Sequence, residues 1–203
     1  MRSVRLAVAW TFGLMVMLVA VFQLSTADST QNSALSPVLW PQDFPFSYVL
    51  DQMETKPGQY VADVGCARGE FTIEIALRVG SRGIVLAEDI SREAVSFVHD
   101  RAIEQKLWQI KPLLGTPTDP QLPTDSLDAV FMANAYAHMS NRGAMIRRIG
   151  KSLKQGGRMA MIDRLPRKLL AQEAKAAGLE LYSLIPPQQT ARTDFSFMIF
   201  TRR

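Results

Sequence analysis

A turn rich in small residues, between an apolar run and a helical run, is the first place where this sequence could do chemistry. Residues 61–72 read Val-Ala-Asp-Val-Gly-Cys-Ala-Arg-Gly-Glu-Phe-Thr. Gly65 can adopt a positive φ, while Ala67 and Gly69 leave the backbone open to a nucleotide-like ligand. A dinucleotide fingerprint would need glycine where Ala67 and Glu70 stand. The turn therefore predicts a nucleotide-type ligand other than a dinucleotide, with a plain tight turn as the structural alternative.

An acidic position near this turn suits a ligand that carries an amino acid. Asp63 lies two residues before the first glycine, where it can receive an ammonium group. An acid at this place suits such a ligand better than it suits a pyrophosphate.

These motifs resemble the class I S-adenosylmethionine-dependent methyltransferase family, and the resemblance extends over almost all of residues 44–203. Segment 61–71 is similar to the family's first motif, whose glycine loop wraps the methionine part of the cofactor. Segment 85–91 is similar to the second, whose acid holds both ribose hydroxyls through two accepted hydrogen bonds. By register this acid is Asp89, with Glu88 beside it as the second choice. The alternative for Asp89 is a structural role, in which it only favours the dipole of the following helix. The resemblance implies S-adenosyl-L-methionine as the cofactor, bound by Asp63, Gly65, Cys66, Ala67, Gly69, Asp89, Ile90, Asp119 and Asn134.

The loop at 115–123 is similar to the one in which an acid of the family borders the adenine. Asp119 is therefore the candidate for contact with the adenine amino group. Its alternative role is local, because an Asp-Pro pair is also a common turn.

Segment 128–138 is similar to the fourth strand and the floor of the transfer site. Relatives with this short loop often carry an acid followed by Tyr-His, whereas here Asn134 replaces the acid and Ala137 stands at the first histidine position. His138 and Tyr136 are the candidate catalytic residues, since a base helps when the acceptor is a hydroxyl or phenol. Their alternatives are a backbone-bonded loop histidine and a wall of the pocket.

Cys66 is the single cysteine, and His99 and His138 are the two histidines, so we expect no disulfide and no metal site. A helix N-terminus can lower a thiol pKa, but size alone accounts for a cysteine in this turn, and we interpret Cys66 as packing. Arg68 either contacts the cofactor carboxylate or points outward.

The elements that must position these residues alternate between strand and helix. Strands are predicted at 59–64, 83–87, 108–114, 127–133, 158–162, 179–184 and 195–201. Helices are predicted at 46–54, 69–79, 92–105, 142–153 and 166–177. Ser91 can cap the third helix and Gly178 can end the last one. The order predicts a Rossmann-like α/β domain with a doubly wound, seven-stranded, mostly parallel sheet and an antiparallel last strand.

The N-terminal region has a different composition. Arg2 and Arg5 precede an apolar run at 6–24, which as a helix of about 1.5 Å per residue nearly spans a core of roughly 30 Å. We expect residues 1–27 to be a signal peptide or an N-terminal membrane anchor, 28–43 a linker and 44–203 the methyltransferase domain. The protein is then exported or anchored on the periplasmic side. A misassigned start would instead make it cytoplasmic.

The net charge of +4 is spread along the chain, which argues against a nucleic-acid partner. The expected function is methyl transfer to a small or lipid-like acceptor. The alternative is a non-catalytic S-adenosylmethionine-binding protein with a degenerate transfer site. Glu70 and the turn at 154–158, which is similar to the family's turn before its fifth strand, argue against a nicotinamide-dependent oxidoreductase. The oligomeric state is left open.

Overall fold

Short apolar segments separated by helical ones form a seven-stranded sheet in the computed structural model, which describes residues 44–186 and 195–203. Its strands are β1 Tyr60–Val64, β2 Ile84–Asp89, β3 Ile110–Leu114, β4 Leu127–Ala133, β5 Leu153–Asp163, β6 Leu179–Ile185 and β7 Ser196–Arg202. Its helices are α1 Phe46–Gln52, α2 Glu70–Val79, α3 Arg92–Glu104, α4 Arg142–Ser152 and α5 Arg167–Ala176, with a 3₁₀ turn at Tyr136–His138. The alternation of strand and helix is as predicted.

The strand order is β3-β2-β1-β4-β5-β7-β6. Neighbours from β3 to β5 pair in parallel, and β7 runs antiparallel to both β5 and β6. The prediction of a doubly wound sheet with an antiparallel last strand is confirmed. From β1 the sheet extends through β2 to β3 on one side and through β4 to β5 on the other, so the strand order reverses between β1 and β4. Ligands of open α/β sheets bind at the carboxyl ends of the strands beside such a switch point.

Both faces of the sheet are covered, because successive strand residues point to opposite sides. Val61 and Val85 pack into the cluster that includes residues of α1, α2 and α3, and Ala62 and Leu86 into the cluster that includes residues of α4 and α5. This burial on both sides explains why the central strands read as continuous apolar runs rather than as alternating patterns.

The helix ends follow local chemistry. Ser91 Oγ accepts a hydrogen bond from the Ala94 N–H at 3.2 Å and so caps α3 as predicted. Gly178 has φ +80° just after α5, and its N–H donates to the Lys175 carbonyl, which confirms its role at the end of that helix.

β5 begins earlier than the sequence predicts. Leu153 already pairs with Leu127, whereas the next pair of this ladder joins Arg158 to Ala129. The intervening residues of the predicted turn form a bulge, in which Gly156 takes φ +75°. The strand therefore passes through the predicted turn instead of starting after it.

The predicted apolar run at 6–24 and the linker at 28–43 lie outside the described residues. Among the helices of the described ranges, none combines the length and the apolar character needed to cross a membrane.

Candidate active site

A cavity of about 520 Å³ opens at the carboxyl ends of β1, β2 and β4, beside the switch point. It brings together eight residues that the sequence singles out: Asp63, Gly65, Cys66, Ala67, Asp89, Ile90, Asn134 and His138. Three short segments supply them, namely the β1–α2 turn, the end of β2 and the region after β4. The residues thus converge because parallel strands end at one edge of the sheet.

The β1–α2 turn packs tightly against the neighbouring segments. Gly65 has φ +75°, and a Cβ on it would lie 2.5 Å from the Ala135 Cβ, so only glycine fits there. The N–H groups of Gly65 and Cys66 donate to the Glu88 carbonyl at 2.8 and 2.9 Å. Gly69 instead forms the N-cap of α2 and is not among the residues that line the cavity.

Asp63 is a buried acid at the floor of the cavity, only 2% exposed. The Thr72 hydroxyl donates to its Oδ2 at 2.6 Å. Burial raises the pKa of Asp63 from its ordinary 3.8 to about 7, against the opposing effect of the Thr72 hydrogen bond. The carboxyl is therefore partly protonated at neutral pH, and a cationic ligand group would favour its ionised form.

Asp89 is held rigidly by backbone donors at the end of β2. The Ala67 N–H donates to its Oδ2 at 3.0 Å, and the Ser91 N–H donates to its Oδ1 at 2.9 Å. Each carboxylate oxygen retains acceptor capacity beyond these bonds. The side chain is thus fixed at the cavity and can still accept from ligand hydroxyls.

Glu88, the neighbour of Asp89, also lines the cavity and is only 2% exposed. Burial, followed by the charge of Asp89, raises its pKa from 4.5 to about 8. Its Oε1 is buried and has no hydrogen-bond partner within the described ranges. The sequence suggests Glu88 only as a second choice for the ribose contact of Asp89, because nothing in the sequence indicates that both acids face one cavity.

The segment after β4 forms another part of the cavity lining. Asn134 takes φ +55°, and its N–H donates to the Ile162 carbonyl at 2.7 Å. Asp163, at the end of β5, accepts from the Ala137 N–H at 3.0 Å and from the Leu165 N–H at 3.3 Å. Asp163 therefore fixes the 3₁₀ turn that carries His138 to the cavity. No sequence motif signalled this role.

The remaining walls are largely apolar, and the sequence did not single them out for the ligand. They comprise Phe71, Pro117, Ala133, Ala135, Met139 and Met145. Phe71 is supported from behind by Phe44 and Phe46, whose ring centroids lie 5.7 and 4.7 Å from its own in edge-on contacts. A ligand in this cavity therefore has both acidic and apolar side chains within reach.

Comparison with known proteins relates this arrangement to methyltransferases. Residues 61–157 match the model of a methyltransferase domain. The fold matches the crystal structure of a SAM-dependent methyltransferase from Aquifex aeolicus with a TM-score of 0.69, at 20% identity, over 78% of this chain and 89% of the other. Residues 61–157, a little under half of the chain, are thus similar to a methyltransferase domain, and the described fold is one that S-adenosylmethionine-dependent methyltransferases have.

Curated relatives of the methyltransferase domain include the nocamycin O-methyltransferase of Saccharothrix syringae. It is 31% identical over 118 residues, which are 58% of this chain and 42% of the relative. The 2-phytyl-1,4-naphtoquinone methyltransferase of Synechococcus elongatus is 30% identical over 113 residues, 53% of this chain and 47% of the relative. The chain thus spans a little under half the length of these two relatives.

The cavity of the methyltransferase domain fits S-adenosylmethionine, the cofactor of this class. Its volume of about 520 Å³ is within the usual range of roughly 300–1,000 Å³ for small-ligand pockets. The small residues at 65 and 67 expose backbone, and the unpartnered Oε1 of Glu88 offers a polar atom to a ligand. Across the described ranges, no group of three or more His, Cys, Asp or Glu side chains could hold a metal ion.

Besides Gly69, two further candidates for the site do not line the cavity. Tyr136 is fully buried in the core on the side of α4 and α5, where its hydroxyl donates to the Arg142 carbonyl at 3.4 Å and burial raises its pKa. Asp119 accepts from the Gln121 N–H at 2.9 Å and lies 3.4 Å from Arg148 Nε. Its carboxylate stabilises the loop itself, which is the alternative that the Asp-Pro pair allowed.

The structure also decides the roles of Cys66 and Arg68, for which the sequence left alternatives. Cys66 is buried, and burial raises the pKa of its thiol well above the ordinary value, so it packs rather than reacts. Arg68 places its guanidinium 4.6 Å from the centre of the Phe97 ring and is not among the residues of the cavity. It therefore packs on α3 instead of approaching the ligand.

Proposed function

We propose that the protein transfers a methyl group from S-adenosylmethionine to a small, largely apolar acceptor with a hydroxyl group. The observation that carries this proposal is that one cavity is lined by Asp63, Asp89 and the β1–α2 turn together with the apolar residues Met139 and Met145. The acids and the exposed backbone of the turn suit the cofactor, and the apolar side chains suit the acceptor. The two curated relatives described above are named for small-molecule substrates.

Within this proposal, Asp63 receives the ammonium group of the cofactor and Asp89 receives its ribose hydroxyls. The β1–α2 turn supports the methionine part. Asn134, which lines the cavity after β4, is a further contact. S-adenosylmethionine supplies an electrophilic methyl group on sulfur, and the protein contributes alignment and exclusion of water, which together are worth on the order of 7–11 kcal/mol.

His138 is the proposed general base. It lines the cavity on the 3₁₀ turn that Asp163 holds through the Ala137 N–H. The acceptor hydroxyl passes its proton to the imidazole as its oxygen bonds to the methyl carbon and the carbon–sulfur bond breaks. A base in this role contributes typically about 10²–10⁴-fold.

The second candidate function is S-adenosylmethionine binding without transfer. Asn134 replaces the acid of similar proteins, and Tyr136 is buried in the core, so His138 is the one of the two candidate bases from the sequence that lines the cavity. A fold can persist after its reaction is lost, since function depends on the site and not on the architecture.

A two-step experiment separates these functions. Calorimetric titration with S-adenosylhomocysteine measures cofactor binding, and transfer of labelled methyl from S-adenosylmethionine to extracted lipids and to reduced quinones, which carry hydroxyl groups, measures turnover. We expect binding and a labelled product, and His138→Gln should reduce product formation by about 10²-fold or more without weakening binding. Binding without any product would support the non-catalytic function, and no binding would exclude both.

We also propose that residues 6–24 anchor or export the protein, which would bring the site close to lipid-like acceptors. The support is the sequence alone, namely Arg2 and Arg5 before an uncharged apolar run. Fractionation of cells that express the full chain or a chain lacking residues 1–27 tests this. Equal amounts of both in the soluble cytoplasmic fraction would contradict it.

A further inference from the structure

Glu88, the acid next to the proposed ribose contact Asp89, has no part in the proposed function. The Glu88 side chain points to the opposite face of the sheet from Asp89, because consecutive strand residues alternate. It still reaches the cavity, and its Oε1 has no partner in the described part of the chain. A buried carboxyl oxygen without a partner lowers stability, so its presence in a cavity suggests that a ligand completes it.

Gly115 makes room for this carboxyl. It follows β3 directly, and its N–H donates to the Asp89 carbonyl at 3.0 Å. A Cβ on Gly115 would lie 1.7 Å from Glu88 Oε1 and 2.8 Å from its carboxyl carbon. The backbone of Gly115 has an ordinary negative φ, so it is the approach of Glu88, not the turn, that excludes a side chain here.

The order of strands indicates which part of the cofactor meets Glu88. Along the sheet edge, β1 carries Asp63, β2 carries Asp89 and Glu88, and β3 leads to Gly115. If Asp63 holds the ammonium group and Asp89 the ribose, as the proposed function has it, the base extends farther in the same direction. It then lies between β2 and the loop after β3, where Ile90 and Pro117 also line the cavity.

We propose that Glu88 is a specificity residue that pairs, as a carboxylic acid, with the N1 and 6-amino edge of the bound adenine. The acid O–H donates to N1, and the carbonyl oxygen accepts from the amino group. Only the protonated acid offers a donor and an acceptor side by side, since an ionised carboxylate is an acceptor alone. This inference rests on the proposed function and takes the place of the adenine contact that the sequence gave to Asp119.

The surroundings of Glu88 keep it protonated at neutral pH. The charges that act on it are Asp89 on its own strand, Asp63 on β1 and Asp119 in the loop after β3, and all are acidic. Cys66 and His138 are the other titratable side chains among the cavity residues on its other sides, together with Glu70 on α2. The pKa of about 8 therefore leaves the acid form dominant below that pH.

The test is calorimetric titration of the full chain with S-adenosylhomocysteine, from about pH 6 to about pH 9. Glu88→Gln keeps a donor and an acceptor at the same place, so its affinity for S-adenosylhomocysteine at low pH should be within a few-fold of that of the wild type. Glu88→Leu lacks both and should bind about 10- to 100-fold more weakly. Above pH 8 the wild type should lose affinity relative to Glu88→Gln by up to about tenfold per pH unit.

A structural role is separated from a ligand role by the melting temperature. Glu88→Leu replaces a buried, unpartnered acid with an apolar side chain of similar reach, so its melting temperature should equal or exceed that of the wild type. A variant that binds poorly and also melts earlier would overturn the ligand role. Gly115→Ala provides a second route, because it displaces the carboxyl without removing it and should weaken binding as well.

The edge of the base is tested with the 1-deaza analogue of S-adenosylhomocysteine, which lacks the N1 acceptor. The analogue should bind the wild type more weakly than the parent ligand and should bind Glu88→Leu about as well as the parent does. If the losses of affinity caused by the analogue and by Glu88→Leu simply add, the proposed pairing is wrong. A wild type that binds no S-adenosylhomocysteine would overturn the proposed function as well, whereas equal binding by wild type and Glu88→Leu overturns this inference alone.

Discussion

The contact between Thr72 and Asp63 is a point where one side chain supports both stability and the site. Both residues are buried, and the hydroxyl donates to Oδ2 at 2.6 Å. Thr72→Val keeps the shape and removes the donor, so we expect a loss of about 1–3 kcal/mol in the free energy of unfolding. Urea denaturation measures this change.

Thr72→Ser is the matched control, since it keeps the hydroxyl and loses only a methyl group. It should retain more of the stability than Thr72→Val does. If the valine variant unfolds at the same urea concentration as the wild type, the hydrogen bond contributes nothing and the burial of Asp63 needs another explanation.

Single residues divide sharply into those that the sequence could locate and those that it could not. Asp63 and Asp89 lie at fixed offsets from a glycine turn, so local order alone brings them to the cavity. Tyr136 depends on which way a 3₁₀ turn faces, and Asp119 on whether a loop keeps its own carboxylate. Packing and loop hydrogen bonds decide where these two side chains lie, and neither can be predicted from the spacing of residues along the chain.

At the scale of elements, the β1–α2 turn should be sensitive to any added side chain. Gly65→Ala combines a φ of +75° with a Cβ only 2.5 Å from Ala135. We expect a loss of roughly 2–4 kcal/mol in the free energy of unfolding and loss of S-adenosylhomocysteine binding. Thermal unfolding and calorimetry measure the two effects.

Gly156→Ala controls for backbone strain. Gly156 has the same φ of +75°, but nothing lies within 4 Å of the Cβ that alanine would add. It should cost roughly 1–2 kcal/mol and leave ligand binding unchanged. Equal effects of the two substitutions on binding would mean that the close approach of Gly65 to Ala135 is irrelevant to the site.

A second element-scale prediction concerns the turn at Tyr136–His138. Asp163 accepts from the Ala137 and Leu165 N–H groups, so Asp163→Leu leaves both donors without their acceptor. We expect faster amide hydrogen exchange at Ala137 and its neighbours, while S-adenosylhomocysteine binding falls less than labelled product formation. Asp163→Asn, which keeps one acceptor oxygen, should show a smaller effect. Unchanged exchange in Asp163→Leu would show that other contacts hold the turn.

Most element bounds agree with the sequence to within one or two residues, because apolar periodicity and capping residues are local signals. β4 at Leu127–Ala133 matches its prediction at both ends. The start of β5 does not, since pairing between Leu153 and Leu127 across a bulge depends on a partner strand that lies distant in sequence.

At the scale of the whole molecule, two buried acids make stability depend on pH. The pKa of Asp63 is raised to about 7 and that of Glu88 to about 8, from ordinary values of 3.8 and 4.5. At a pH between the ordinary and the raised pKa of each acid, the carboxyl is protonated in the folded protein and ionised in the unfolded chain. The free energy of unfolding of the ligand-free protein should therefore fall as pH rises from about 5 to about 8, by up to roughly 1.4 kcal/mol per pH unit for each group.

Urea denaturation at several pH values measures this slope. The double variant Asp63→Asn, Glu88→Gln has no such groups to titrate, so its slope should be flatter than that of the wild type. Both proteins retain His99 and His138, so the difference between them isolates the two acids. Glu93→Gln serves as the control, because Glu93 is exposed and its pKa is lowered, which puts its effect below this pH range. If the wild type and the double variant have the same slope, these carboxyls are ionised in the folded protein, and the protonated Glu88 needed to pair with adenine is absent.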